Sequence, residues 1–152
     1  MSEQEAASPL PPFEGEDLPV GVFPCSVNQL IERFGMGNPR RKMISLRLKR
    51  VAELAFSTNQ VARFIVFGSF VSTKAEPNDV DIFLLMNDEF DVASLEGETK
   101  LLFDHRIAQE HFGASVFWVR RLAALGGEDT VIEDWQFKRD GKRRGIVEIL
   151  SP

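Results

Sequence analysis

The sequence predicts an α/β or α+β fold in which helices flank a small mixed β-sheet. Its 152 residues and 17.1 kDa correspond to one ordinary domain, and a hydrophobic share of 43% is enough to form a buried core. Helical and strand patterns follow each other in the order helix, helix, strand, strand, helix, strand, helix, strand. This order is typical of a sheet with helices packed against it.

The N-terminal segment differs in composition from the rest of the chain. Residues 1–17 contain acidic side chains and prolines but no basic residue. Such a segment buries too little apolar surface to offset its ordering entropy, so we predict a flexible acidic tail. Residues 18–152 are predicted to form a single domain, with residues 18–24, which prolines and glycine interrupt, lying extended over its core.

Two helices are predicted before the first core strand. Ser26 is the expected N-cap of a short helix, and Asn38-Pro39 combines a capping side chain with proline at the first helical position. The second helix carries apolar residues at the four-three-four spacing of a buried stripe, namely Ile44, Leu48, Val51 and Ala55.

The first turn of this second helix is basic. Arg40, Arg41 and Lys42 place positive charge where the helix dipole is already positive, which costs up to about 1 kcal/mol for each charge. Two interpretations stay open: a solvated basic turn, or contacts from Arg40 and Arg41 to a phosphate or an acceptor.

The remaining pattern supplies the strands and the later helices. Strands are predicted at residues 63–67, 79–85, 115–119 and 144–150, and helices at residues 98–111 and 128–137. His105 falls on the apolar side of the first of these helices, and Trp118 and Trp135 belong to the apolar patterns of their elements. All three are interpreted as core or core-edge residues.

A glycine-serine turn and a pair of aspartates mark the two central strands. Gly68-Ser69 follows a strand, where glycine allows the backbone to approach a ligand, and the amides and hydroxyl of the turn can bind phosphate. Asp79 and Asp81 begin the next strand and share one face, because strand side chains alternate. Two such carboxylates repel each other unless hydrogen bonds, water or cations compensate.

Magnesium is the natural cation for this pair, because it binds carboxylate oxygens together with phosphate oxygens of a ligand. We therefore predict that Asp79 and Asp81 are catalytic and bind the metal. Gly68, Ser69 and Lys74 are predicted to bind phosphate groups of a ligand.

The motif also supports a resemblance. Gly68-Ser69, nine intervening residues and then Asp79-Val-Asp81 resemble the glycine-serine and acid-x-acid motif of the nucleotidyltransferase superfamily, which has the DNA polymerase β-like fold. The motif covers residues 61–86, and the order of helices and strands fits that fold over residues 38–119. The Leu-Pro-x-Gly opening and the end of the chain also resemble a small bacterial family of that fold, whose function is uncharacterised.

This resemblance implies a function. Gly68 and Ser69 would hold the triphosphate of a nucleoside triphosphate, Asp79 and Asp81 would coordinate magnesium, and a hydroxyl of a protein, RNA or small molecule would attack the α-phosphate. Active superfamily members usually carry a third carboxylate on the strand after the intervening helix, where it binds metal and helps to deprotonate the acceptor. Residues 115–119, the corresponding strand, contain no acidic side chain.

Two functions therefore stay open. The first is an enzyme in which another carboxylate substitutes, with Asp104, Glu98 and Glu128 as the candidates. The second is a catalytically degenerate protein that binds a nucleotide or a protein partner, as in a toxin–antitoxin or phage-defence pair.

A nucleic-acid partner has weaker support. The basic residues around Asp140-Gly141, Arg144 among them, could contact a phosphate or an RNA acceptor or simply be solvated, and no base-reading motif accompanies them. A net charge of -5 argues against binding nucleic acid by charge alone. Cys25 has no partner for a disulfide, and no apolar run approaches the roughly 18–20 residues that span a bilayer. We therefore expect a cytoplasmic protein with no membrane partner.

Overall fold

The structure, a computed structural model, describes residues 9–152, and this part of the chain contains a five-stranded mixed sheet. The strands are β1 (Val22–Cys25), β2 (Val61–Phe67), β3 (Val80–Met86), β4 (Ala114–Arg120) and β5 (Ile146–Ile149). The helices are α1 (Val27–Phe34), α2 (Pro39–Ser57), α3 (Gly97–Leu101), α4 (His105–Phe112) and α5 (Glu128–Asp134). The predicted fold class is confirmed.

The sheet has the strand order β1-β5-β2-β3-β4. β2 is antiparallel to both β3 and β5, whereas β1 pairs parallel with β5 and β4 pairs parallel with β3. The extended run predicted at residues 18–24 thus contributes an edge strand, because its backbone finds a partner in the last strand of the chain. No helix within residues 9–152 is both long enough and apolar enough to cross a membrane.

The two faces of the sheet are covered differently. α1, α2 and α4 pack on one face and form the larger apolar cluster, which includes the predicted stripe Ile44, Leu48, Val51 and Ala55. α5 packs on the other face over a smaller cluster that includes Phe83 and Ile132. Alternation along β3 assigns Val80, Ile82 and Leu84 to the first face. Asp81 therefore belongs to the less covered face.

The capping predictions for the first two helices are confirmed. Ser26 accepts from the backbone of Gln29 at 3.1 Å, and Asn38 accepts from the backbone of Arg41 at 2.9 Å. The single helix predicted at residues 98–111 is wrong, because the chain forms α3 and α4 with a break between them. The Asp104 side chain accepts from Ile107 N at 3.0 Å and so caps a new helix.

The predicted acidic tail is also wrong over its second half, whereas residues 1–8 lie outside the described part of the chain. Leu10 is buried, and Phe13 packs against the ring of Phe34 at 5.9 Å between centroids. The Asp17 carboxylate accepts from Lys138 at 3.0 Å and from Arg144 at 3.2 Å. Residues 10–17 therefore belong to the folded domain, because two apolar side chains and one ion-pair acceptor tie them to distant elements.

Candidate functional site

The sheet topology brings the predicted site together at one edge. Because β2 runs antiparallel to β3 and β5, and β4 runs parallel to β3, the end of β2 lies beside the starts of β3, β4 and β5. Gly68 follows β2, Asp81 is the second residue of β3, Ser115 is the second residue of β4, and Arg144 precedes β5. Segments far apart in sequence therefore meet at a single cleft.

Gly68 and Asp81 are in direct steric contact. Gly68 has φ +83°, in the region that favours glycine, and a Cβ at this position would overlap the Oδ2 atom of Asp81. The register explains this approach, because Asp81 pairs with Phe67, the residue before the glycine. The glycine predicted at the strand exit is thus required both by its backbone angle and by the carboxylate beside it.

Arg41 stabilises the loop after Gly68 by hydrogen bonds to the backbone carbonyls of the loop. Ser69–Val71 forms a 3-10 turn, and the buried guanidinium of Arg41 donates to Phe70 O and Ser72 O, each at 2.8 Å. It also donates to the carbonyl oxygens of Phe34 and Lys74. Five donors in a fixed fork suit this task.

The predicted phosphate or acceptor contact of Arg41 is therefore wrong, because its guanidinium is buried and bound to backbone carbonyls. Arg40 does not line the cleft either, whereas Arg144 does. Arg41 thus supports the glycine-serine loop through its backbone carbonyls, and the basic residues that line the cleft come from the segment around Asp140-Gly141 and from Lys74.

The aspartate pair is electrostatically unfavourable without a cation. The Oγ atom of Ser115 donates to Asp79 Oδ2 at 2.9 Å, and Ser115 pairs with Asp81 in the sheet register. Burial, followed by the nearby Asp79 carboxylate, raises the pKa of Asp81 to about 6, while Arg144 and Arg139 act in the opposite direction. Asp81 and Ser115 line the cleft, whereas Asp79 is connected to it through its hydrogen bond from Ser115.

The cleft has a volume of about 700 Å³ and two kinds of wall. Gly68, Ser69 and Lys74 line it on the loop side, as predicted for phosphate contacts. The basic segment between α5 and β5 contributes the further lining residues Phe137, Lys138, Arg139, Asp140 and Arg144. A volume of this size accommodates a ligand as large as a nucleotide.

A group of aromatic rings forms another part of the cleft lining. The ring of Trp135 lies 4.5 Å from that of Phe67 and 5.3 Å from that of Phe117, between centroids. Phe117 is 38% exposed and occupies the β4 position near which the resemblance expects a carboxylate. Trp118 is different, because its indole donates to Phe103 O at 2.9 Å and packs with the larger cluster, in agreement with the core prediction.

The proposed substitute carboxylates are all engaged elsewhere. Asp104 caps α4, Glu98 accepts from Arg50 at 2.6 Å, and Glu128 pairs with Arg63 at 3.4 Å. None of the three lines the cleft. Across residues 9–152, no group of three or more His, Cys, Asp or Glu side chains is placed to hold a metal ion. The described residues therefore offer a two-carboxylate site.

The chain was compared with protein families, with curated proteins and with solved structures. One family model matches residues 11–150, which is almost the whole described chain, and it is described as a family of unknown function, DUF6932. The chain belongs to this family. Neither the curated proteins nor the solved structures gave a match. The family match thus covers the cleft and all the elements that form it.

Several residues that line this DUF6932 cleft carry no recognisable sequence signal, among them His105, Ser115 and Trp135. The sequence pattern favours a core or core-edge position for His105, and for Trp135 it favours the core over stacking on a base, yet both line the cleft. Their apolar spacing does not predict a position in the cleft, because helical periodicity identifies the inward face of a helix but not whether that face contacts the core or a cleft. For His105 the signal would have been its place at the first position of α4, beside an edge strand.

Proposed function

We propose that this DUF6932 protein binds a nucleoside triphosphate with magnesium in the cleft and transfers its nucleotidyl group to a hydroxyl of a protein, RNA or small molecule. The observation that carries the proposal is that Gly68 contacts the partly buried Asp81 carboxylate in a cleft that Arg139 and Arg144 also line. A backbone loop, a carboxylate and cations in one cleft suit a ligand that carries both a metal ion and phosphates.

The donor set fits magnesium. Asp79 and Asp81 would hold the ion, because burial and the neighbouring Asp79 carboxylate raise the pKa of Asp81, and a divalent cation would stabilise its charged form. Magnesium commonly takes only one or two protein carboxylates and fills its remaining positions with water and phosphate oxygens. When bound, it would neutralise charge that develops on the transferring phosphoryl group.

The protein's own residues would orient the triphosphate. The amides that open the 3-10 turn and the Ser69 hydroxyl can donate to phosphate oxygens, and Lys74 and Arg144 add positive charge to the lining of the cleft. The neighbouring rings of Trp135 and Phe117 supply its aromatic surface. Such positioning lowers the entropic part of the barrier to transfer.

A second candidate is a protein that binds the nucleotide without turnover, for instance within a toxin–antitoxin or phage-defence pair. Phe117 favours it, because an aromatic ring stands near the strand position where a third carboxylate is expected. We further propose a cytoplasmic location, supported by the free and buried Cys25, a state compatible with a reducing compartment.

Labelled transfer tests the enzyme directly. The protein would be incubated with α-labelled nucleoside triphosphates, magnesium and either total RNA or purified protein acceptors. The account predicts labelled acceptor in the wild type and none in Asp79→Asn. Asp134→Asn, an exposed aspartate on α5 away from the cleft, is the matched control and should label normally.

Two other results have definite meanings. Label that persists in Asp79→Asn would remove this site from the reaction. Magnesium-dependent nucleotide binding with no labelled product or released pyrophosphate would leave the second candidate as the function.

A further inference from the structure

His105 is held in one tautomer, and within residues 9–152 its second ring nitrogen has no backbone hydrogen bond. Its Nδ1 lies 3.1 Å from Val116 O, and a carbonyl oxygen can only accept, so Nδ1 carries the proton. In the neutral ring, Nε2 then has a lone pair and acts as an acceptor. This arrangement, with one ring nitrogen donating to a fixed acceptor and the other available, is that of a general base.

The ring lies beside the position where a carboxylate is missing. His105 packs against Phe117 with 4.6 Å between ring centroids, and Phe117 is two residues beyond Ser115 on β4. His105, Ser115, Phe117 and Asp81 all line the same cleft. The imidazole therefore enters the cleft from the first residue of α4, whereas β4 contributes Ser115 and the phenyl ring of Phe117 but no carboxylate.

His105 is placed as a base and not as a metal ligand. Within residues 9–152, His105 forms no three-member cluster with the two aspartates that could hold a metal ion. The other histidine, His111, pairs with Glu98 at 3.0 Å and does not line the cleft. Of the two, only His105 has a ring that can meet a ligand bound beside Asp81.

We propose that His105 is the proton acceptor of the transfer reaction. Its Nε2 takes the proton of the acceptor hydroxyl as the hydroxyl oxygen forms a bond to the α-phosphorus of the nucleoside triphosphate. The bond from the α-phosphorus to the oxygen that bridges to the β-phosphate breaks, and pyrophosphate leaves with that electron pair. This inference rests on the proposed function and assigns the step for which β4 supplies no carboxylate.

The test uses water as the hydroxyl acceptor, with ATP and magnesium, and measures pyrophosphate release and nucleotide affinity separately. His105→Ala is expected to lower kcat by roughly 10²–10⁴-fold, the usual contribution of a general base, while the dissociation constant for magnesium-ATP stays unchanged. Free imidazole added to His105→Ala should restore part of the rate, because it can occupy the vacated space and accept the proton.

Two variants separate a base from a structural residue. His105→Asn keeps an N–H that can donate to Val116 O but lacks the Nε2 acceptor, so it should be as slow as His105→Ala. His111→Ala lies outside the cleft and should retain the wild-type rate. Thermal unfolding of each variant establishes that it is folded.

The outcomes distinguish this inference from the proposed function. Wild-type turnover in His105→Asn, or a slow His105→Ala that imidazole does not restore, would overturn the role of His105 and leave the proposed function intact. A wild-type protein that binds magnesium-ATP but releases no pyrophosphate would overturn the base and support the non-catalytic candidate. A wild type that binds no nucleotide would overturn both.

Discussion

The two faces of the sheet are specified by different kinds of sequence information. The face under α1, α2 and α4 is closed by apolar side chains at regular spacing, and Ile44, Leu48 and Val51 are fully buried there. The other face is open at one end, where polar and aromatic residues from five segments of the chain line a cleft. The closed face therefore supplies the stability of the protein, and the open end of the second face is available for a ligand.

The largest expected effect comes from Gly68→Ala. The new Cβ would overlap the Asp81 carboxylate at a φ of +83°, so the loop or the carboxylate must move. We expect magnesium-dependent nucleotide affinity to fall by at least about 100-fold in calorimetry, equivalent to roughly 3 kcal/mol.

Gly37→Ala is the matched control for that prediction. Gly37 also has a positive φ, +111°, but a Cβ there would meet no atom within 4 Å. This variant should lose some stability through backbone strain and keep its nucleotide affinity. Equal loss of affinity in both variants would show that strain alone explains the effect and that the contact with Asp81 is unimportant.

Leu48→Ala tests the closed face. Leu48 is fully buried in the larger cluster, and removing such a side chain costs about 2–5 kcal/mol of unfolding free energy. Phe117→Leu, on the cleft side and 38% exposed, should cost less than about 1 kcal/mol. Urea unfolding of the two variants measures the difference, and a larger cost for Phe117→Leu would reverse the proposed division between the faces.

Asp81→Asn should stabilise the protein in the absence of magnesium. The folded pKa of about 6 lies above the ordinary 3.8, so the folded state binds this proton more tightly and wild-type stability falls as the pH rises from about 4 to about 6. Above that window, the variant should be more stable by an amount on the order of 3 kcal/mol at most. Urea unfolding at several pH values measures the difference, which should shrink towards zero near pH 4.

The effect of magnesium on the melting temperature also distinguishes the wild type from Asp81→Asn. Added above pH 7, it should raise the melting temperature of the wild type and leave that of Asp81→Asn nearly unchanged, because the variant lacks one of the two carboxylates. Wild type and variant of equal stability at every pH would contradict the raised pKa of Asp81.

The smallest effect is expected from Arg144→Gln. Arg144 shares its acceptor Asp17 with Lys138, and it lines the cleft with other cations. Losing one such contact to a phosphate should weaken ATP binding by about tenfold, near 1.4 kcal/mol, and less at high salt. Arg106→Gln, an exposed arginine on α4 outside the cleft, should bind ATP like the wild type.

The closed face and the motif could be predicted because their signals are local. The Asn38 cap, the α2 stripe and the alternation around Asp81 each depend on residues within one element. The position of Gly68 against Asp81 also followed from the motif, since both stand at the facing ends of adjacent strands. Local patterns therefore predicted the core and the part of the cleft around Gly68 and Asp81.

The rest of the cleft depends on contacts across long sequence separations. Arg41 has the pattern of a phosphate-binding helix start, but the carbonyls of residues 70, 72 and 74 fold back onto its guanidinium. The sequence around Asp17 predicts an acidic tail, whereas in the structure the Asp17 carboxylate accepts hydrogen bonds from Lys138 and Arg144. His105 faces the cleft because α4 begins at an edge strand. No local sequence pattern indicates that these residues, which are far apart in the chain, are in contact.

Titration of the wild-type protein with ATP by calorimetry, with and without magnesium, tests the central claim most directly. The account predicts saturable binding at one site that requires magnesium and is abolished in Gly68→Ala. Binding of equal strength with and without magnesium, or binding that Gly68→Ala retains in full, would contradict a metal and phosphate site at Gly68 and Asp81.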